Sequence, residues 1–128
     1  MGKLYIERTN STPEINLDTE SGKYSIRGFS YPHDTRKFYK PVWDWFDALK
    51  LDSGKEFQLV IGLAHISSNS LIAINQILTS VRALKDSGVP AKVIWSYDKE
   101  DEDWLAVGVE LSDISGLPFD FIAEDLGE

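Results

Sequence analysis

One short segment of the 128-residue chain concentrates hydroxyl and amide side chains; its sequence is His65-Ile66-Ser67-Ser68-Asn69-Ser70. We expect it where a buried strand meets the N-terminus of the strongest amphipathic helix in the chain. Unpaired backbone N–H groups and the helix dipole favour an anion at such a position. A phosphoryl group on one of these serines would be accommodated there, and it would add about −1.5 to −2 charge. Helix capping alone also explains these residues, so both interpretations stay open.

Other patterns that could carry chemistry are scarce. The absence of cysteine excludes disulfides, thiolate zinc sites and cysteine nucleophiles. The two histidines, His33 and His65, lack a second histidine at metal-ligand spacing. The sequence contains no phosphate loop, no dinucleotide-binding glycine motif and no nucleophile elbow. We therefore expect a protein that is not an enzyme and that holds neither a metal nor a cofactor.

An acidic run from Asp98 to Asp103 precedes a predicted helix. A calcium-binding loop needs oxygen ligands at alternate positions and a glycine at its turn, and this run has no glycine. We interpret these carboxylates as groups that stabilise the N-terminus of the helix that follows.

The net charge of −8 is unevenly distributed. Residues 1–64 carry nine basic and nine acidic side chains, whereas residues 65–128 carry four basic and twelve acidic ones. Binding to nucleic acid or to an anionic membrane requires a basic surface, so neither partner is expected. No apolar run approaches the roughly 18 residues of a membrane helix, and no signal peptide is visible. The sequence predicts a cytoplasmic domain.

Hydrophobic periodicity predicts the element order β-β-β-α-β-α-β-α-β. The strands are expected at residues 4–7, 14–18, 23–27, 56–64, 91–97 and 119–123. A connection is expected at residues 28–33.

Three helices are predicted between the later strands. The first covers Phe38 to Leu49, with Pro41 either at its first position or at a kink in a longer helix. The second ends at Gly88 and the third at Gly116. Short joints between strand and helix imply right-handed crossovers and parallel strands. The fold class is therefore α/β, a single-domain mixed β-sheet with an N-terminal β-hairpin and three main helices.

Several short motifs occur along the chain in a characteristic order. They are Thr12-Pro13-Glu14-Ile15, Gly28-Phe29-Ser30-Tyr31-Pro32, Phe38-Tyr39-Lys40-Pro41, Val93-Ile94-Trp95-Ser96-Tyr97-Asp98, the acidic run and Gly116-Leu117-Pro118-Phe119. From about Leu4 to Ile122 this set resembles the SiaC-type bacterial regulatory phosphoproteins. That family is similar in fold to anti-sigma-factor antagonists, so the resemblance implies one STAS-like (SpoIIAA-like) domain over residues 1–128.

The resemblance also implies a function. In this family a dedicated Ser/Thr protein kinase phosphorylates a residue at a strand-to-helix junction, and a PP2C-type phosphatase removes the phosphate. The unmodified form binds and activates a diguanylate cyclase, which raises cyclic di-GMP and promotes biofilm growth. The resemblance therefore implies a partner switch in signal transduction.

The resemblance places the phosphoacceptor on Ser68, with Ser67 and Ser70 as alternatives. The family's junction resembles Tyr-Phe-Asn-Thr-Ser-Ser, and here His65 and Ile66 replace the aromatic pair. The partner-binding residues implied at this junction are His65, Ser67, Asn69 and Ser70.

Three other interpretations stay open at this point. The first is an anti-sigma-factor antagonist of the STAS type. The second is a small enzyme or ligand-binding module with a pocket lined by Trp95, Tyr97 and Trp104. The third is a structural adaptor whose serine cluster is only a helix cap.

Overall fold

The computed structural model describes residues 2–51 and 54–125, and within them the elements follow the predicted order. The strands are β1 (Lys3–Ile6), β2 (Glu14–Asp18), β3 (Lys23–Ser30), β4 (Phe57–Ile66), β5 (Ala91–Asp98) and β6 (Phe119–Glu124). The helices are α1 (Thr35–Ala48), α2 (Ser68–Asp86) and α3 (Glu102–Ser115). None of the described helices combines the length and the apolar character needed to cross a bilayer.

One mixed sheet contains all the described strands in the spatial order β1-β2-β3-β4-β5-β6. The first three strands are antiparallel, and the strands from β3 to β6 are parallel to one another. Helix α2 packs between α1 and α3, so the helices form one layer against the sheet. The predicted fold class, a single-domain mixed sheet with an N-terminal hairpin, is confirmed.

The hydrophobic core lies between this helix layer and one face of the sheet. Alternate residues of β4, such as Phe57, Leu59 and Ile61, are fully buried because strand side chains point to opposite faces in turn. Helix α2 contributes Ile74, Ile77, Leu78 and Val81 to the same core. Strand β4 is internal to the sheet and shares this core with α2, so the joint between these two elements lies at the edge of the core.

Helix α1 begins upstream of Pro41, so the longer of the two predicted helices is the observed one. Asp34 caps it by accepting a hydrogen bond from the Lys37 backbone N–H at 3.1 Å. Strand β3 continues to Ser30, which shortens the connection predicted at residues 28–33. Gly28 has a φ of 123° beside a shift in the β3–β4 register. Burial still alternates through this point, but the buried positions 28 and 30 are a glycine and a serine, so the sequence shows no apolar alternation there.

Strand β4 extends to Ile66, two residues beyond its predicted end. The register shift next to Gly28 pairs Ser30 with Ile66, and this pairing extends the ladder. Helix α2 ends at Asp86 rather than at Gly88, with Ser87 as its C-cap.

Candidate functional site

A single residue, Ser67, connects β4 to α2, because the strand ends at Ile66 and the helix begins at Ser68. Ser67 is the N-cap of α2, and its Oγ accepts a hydrogen bond from the Ser70 N–H at 3.1 Å. Its own N–H donates to the carbonyl of Ser30 in β3 at 2.9 Å. The segment predicted as a turn is therefore a direct joint that is fixed to both neighbouring elements.

Ser68 and Asn69 are the first two residues of α2, and both are exposed. The first turn of this helix carries no acidic residue. A helix N-terminus has unpaired N–H groups and a positive dipole end, so it favours added negative charge. The Ser68 hydroxyl is thus on the surface, where the backbone N–H groups and the dipole of α2 would stabilise the negative charge of a phosphoryl group.

Ser70 is fully buried, although the sequence places it on the partner surface. The Ser30 Oγ donates to the Ser70 Oγ at 2.8 Å, and the Ser67 Oγ donates to it at 3.1 Å. The Tyr39 hydroxyl lies 2.6 Å from the Ser30 Oγ and completes a chain of four hydroxyl groups. In this structure the Ser70 side chain is an internal anchor for the joint and is not available to a partner.

Tyr39 and Ser30 complete this set of hydroxyl groups, and neither is among the site residues predicted from the sequence. Burial raises the pKa of Tyr39 to about 12, and its hydrogen bonds with Ser30 and Ser70 offset only part of that effect. The phenol therefore stays neutral over the physiological range. Both residues lie in motifs of the family resemblance, but nothing in their spacing indicates that they meet Ser70.

His65 lies near the end of β4 and is exposed. Its ring packs against Phe29 with 5.0 Å between the ring centroids, and the Arg8 guanidinium lies over the Phe29 ring, 5.1 Å from its centroid. The structure thus brings His65 to the same surface as Ser67, as the sequence predicts.

Two open clefts flank the joint, and Ser67 lines both of them. The α1–α2 cleft has a volume of about 900 Å³ and is lined by the connection before α1, by Trp43, and by one face of α2 from Asn69 to Gln76. The β4–α3 cleft has a volume of about 480 Å³ and includes His65, Asp101 and Asp103. Of the predicted site residues, His65 lines the β4–α3 cleft, Asn69 lines the α1–α2 cleft and Ser67 lines both. Ser68 and Ser70 line neither cleft.

The acidic run has the role that its sequence predicts. Asp101 is the N-cap of α3 and accepts a hydrogen bond from the Trp104 N–H at 3.0 Å, while Glu102 and Asp103 occupy the first turn. These carboxylates stabilise the helix N-terminus.

Trp95, Tyr97 and Trp104 do not line a common pocket within the described residues, since Trp104 borders the β4–α3 cleft without the other two. Trp95 is fully buried, its indole N–H donates to the Trp104 carbonyl at 3.1 Å, and the two indole rings pack with centroids 4.7 Å apart. Gly108 permits this packing, because an added Cβ would lie 2.5 Å from the Trp95 Nε1. These aromatic residues belong to the core.

Comparison with known proteins identifies the family. Residues 6–124 match the family described as SiaC family regulatory phosphoprotein. The chain is 29% identical over 125 residues to an uncharacterized protein of Pseudomonas aeruginosa strain UCBPP-PA14, covering 98% of this chain and 99% of that protein.

Solved structures of SiaC from Pseudomonas aeruginosa have the same fold. Apo-SiaC superimposes with a TM-score of 0.85 at 29% identity, covering 96% of this chain and 100% of the other. SiaC in complex with the diguanylate cyclase SiaD, of which it is the activator, gives a TM-score of 0.86 at 28% identity, covering 94% of this chain and 99% of the other. This chain belongs to the SiaC family of regulatory phosphoproteins.

Proposed function

We propose that this chain is a phosphorylation-controlled partner switch that, when unphosphorylated, binds and activates a diguanylate cyclase. Family membership supports the regulatory role, and the SiaC relative that activates SiaD supports the class of output enzyme. Activation would raise cyclic di-GMP and promote biofilm growth. The protein itself acts by binding and not by catalysis, as one domain over residues 1–128.

The observation that carries the proposal is the position of Ser68 on the surface at the first residue of α2. The two alternative phosphoacceptors are less accessible. Ser70 is fully buried, and the Ser67 Oγ is engaged with both the N–H and the Oγ of Ser70. A kinase must reach the hydroxyl that it modifies, so we assign the modification to Ser68.

A phosphoryl group on Ser68 would change the surface more than the fold. The N-terminus of α2 tolerates added negative charge because its first turn has no carboxylate of its own. A partner docked over this residue would meet about −1.5 to −2 additional charge and would have to desolvate it. We propose that a Ser/Thr kinase adds this group and a PP2C-type phosphatase removes it, both in the cytoplasm where ATP is available.

The test is a binding and activation assay with the diguanylate cyclase that the wild-type chain recovers from its own host. Ser68→Ala should bind and activate like wild type and should not respond to kinase and ATP. Ser68→Asp should bind at least about tenfold more weakly, because it places a charge at the interface. Ser87→Asp, at the opposite and also exposed end of α2, is the matched control and should bind like wild type.

Equal affinity for wild type, Ser68→Ala and Ser68→Asp, together with no effect of kinase, would contradict the proposal. Recovery of an anti-sigma kinase instead of a cyclase would show that the chain is an anti-sigma-factor antagonist and would contradict the assignment of a cyclase as its partner.

A further inference from the structure

The exposed face of α2 carries no charge over most of its length. No charged residue occurs from Ser68 to Val81, in a chain whose net charge is −8. The exposed residues of this stretch are Ser68, Asn69, Ile72, Asn75, Gln76 and Thr79. The centres of protein–protein interfaces are depleted of charged residues in the same way. The face therefore has the composition of an interface rather than that of an ordinary solvated helix surface.

Ile72 is the apolar residue on this face, and 66% of it is exposed. It follows Ser68 by four residues, so the two side chains are neighbours on one helix face at about 5–6 Å between their Cβ atoms. A single exposed isoleucine is common on protein surfaces. This one borders the α1–α2 cleft, whose floor includes Trp43 and the nearly buried Ala73. An apolar side chain from a partner would find an apolar surface on two sides here.

The walls of the α1–α2 cleft are held in place by hydrogen bonds. The Trp43 indole N–H donates to the Ala73 carbonyl at 3.4 Å and ties α1 to α2. On the opposite wall, the Tyr31 hydroxyl donates to the Asn10 carbonyl and the Tyr31 N–H donates to the Ser11 carbonyl, both at 2.8 Å. The cleft is thus formed before binding, which lowers the entropic cost of association.

The rim of the cleft carries one cation, Arg36, and one anion, Asp34. Arg36 lines it from the first turn of α1, where the helix dipole disfavours a positive charge, and His33 lies beside it. Among the residues that the structure describes, Arg36 forms no ion pair shorter than 4 Å. Asp34 also lines the cleft, but its carboxylate caps α1 by accepting the Lys37 N–H. Arg36 thus has no ion-pair partner among the described residues, and its guanidinium is complementary to a carboxylate from a partner.

We infer that the α1–α2 cleft is the docking site for the output protein, and that the docked segment presents one apolar side chain flanked by carboxylates. The inference rests on the proposed function and assigns its binding surface. The apolar side chain packs against Ile72 and Trp43, and a carboxylate pairs with Arg36. A phosphoryl group on Ser68, one helical turn from Ile72, repels those carboxylates, so the same chemistry that binds the partner also explains its release.

The experiment measures the affinity of the cyclase recovered by the wild-type chain, purified and titrated calorimetrically against unphosphorylated variants. Ile72→Asp should weaken binding at least about tenfold, because it places a carboxylate at the apolar centre of the interface. Ile114→Asp is the matched control. Ile114 is also 66% exposed but lies on α3, so this variant should bind within about twofold of wild type.

A second variant tests the charge complementarity. Arg36→Gln should weaken binding several-fold at low salt and should reduce the salt dependence of the affinity, because it removes the cation that pairs with the partner's carboxylates. Lys85→Gln, in the last turn of α2, is the control and should leave the affinity and its salt dependence unchanged.

The outcomes separate this inference from the proposed function. If Ser68→Asp releases the cyclase while Ile72→Asp and Arg36→Gln bind like wild type, the docking site is wrong and the switch stands. If the wild-type chain recovers no cyclase, both are overturned.

Discussion

The N-termini of α2 and α3 follow neighbouring parallel strands and therefore lie at the same edge of the sheet, yet they are built differently. Helix α3 has an aspartate cap, Asp101, and two further acids, Glu102 and Asp103, in its first turn. Helix α2 has a neutral cap, Ser67, and no acid in its first turn. The dipole of α3 is already stabilised by its own carboxylates, whereas α2 has room for a negative charge that can be added and removed.

The two helices are also anchored in different ways. Trp104 of α3 packs on the buried Trp95, and Gly108 lets the helix approach that indole. The first turn of α2 is anchored by hydroxyl groups, through Ser70, Ser30 and Tyr39. Apolar packing is insensitive to charge, but a buried hydroxyl network depends on the protonation of its members. The comparison therefore predicts different responses to pH, to salt and to substitution.

The largest effect is expected from Tyr39 at high pH. Its pKa is about 12 in the folded chain and 10.0 in an ordinary environment, so the unfolded state loses its proton first as pH rises. The contribution of Tyr39 to the free energy of unfolding is therefore fully present below pH 10. It is lost between pH 10 and 12, by roughly 2–3 kcal/mol in total. Urea unfolding of wild type and Tyr39→Phe from neutral to alkaline pH measures this difference. Parallel stability curves for the two proteins would contradict it.

Preventing the close approach of α3 to the Trp95 indole should have the next largest effect on the free energy of unfolding. Gly108→Ala forces Trp95 and α3 apart, because the new Cβ would lie 2.5 Å from the indole nitrogen. We expect a loss of about 2 kcal/mol, typical of overpacking in a core. Thermal or urea unfolding measures the loss, with Ala106→Gly on the exposed face of the same helix as the comparison for helix propensity. A variant as stable as wild type would mean that α3 is not held by this contact.

The two N-caps should differ in their response to salt. Ser67→Ala and Asp101→Ala each remove a side-chain acceptor for a helix N–H, at a cost of about 1 kcal/mol. Salt screens the charge of Asp101 but not the neutral hydroxyl of Ser67, so only the Asp101→Ala effect should shrink as salt is raised. Urea unfolding at two salt concentrations checks this. The same salt dependence for both variants would remove the electrostatic distinction between the helices.

The smallest effect is a gain in stability on adding charge to α2. Ser68→Asp should stabilise the chain by about 0.3–1 kcal/mol, because a carboxylate interacts favourably with the positive end of the helix dipole. Asp103→Ser makes the reverse change at α3 and should destabilise by a similar amount. Unfolding midpoints at low salt measure both. A destabilised Ser68→Asp variant would show that the α2 terminus does not accommodate negative charge.

Much of the fold could be predicted from local pattern. The apolar runs of β4 and α2 and the acidic cap of α3 each depend on residues close together in the chain. The errors lie where a residue type hides the pattern. Gly28 and Ser30 occupy buried positions of β3 without an apolar side chain, and Pro41 hides the start of α1 although Asp34 caps the helix upstream.

The site was predictable only in part, because half of it depends on contacts between distant residues. Ser67 and Ser68 follow from local capping and from the family resemblance. Ser30 and Ser70 are 40 positions apart in the sequence, and two serines carry no pattern that indicates a hydrogen bond between them. The same limit applies to Tyr39 of α1, whose hydroxyl meets the Ser30 Oγ across a separation that no sequence pattern marks.

The central claim is that Ser68 is the switch residue, and the most direct measurement is phosphosite mapping of the protein purified from its own host. We expect a fraction about 80 Da heavier, with fragmentation placing the phosphoryl group on Ser68. This fraction should be absent from the complex with the cyclase. Phosphate on Ser67 or Ser70 would contradict the assignment, and no phosphate after incubation with host lysate and ATP would contradict the switch.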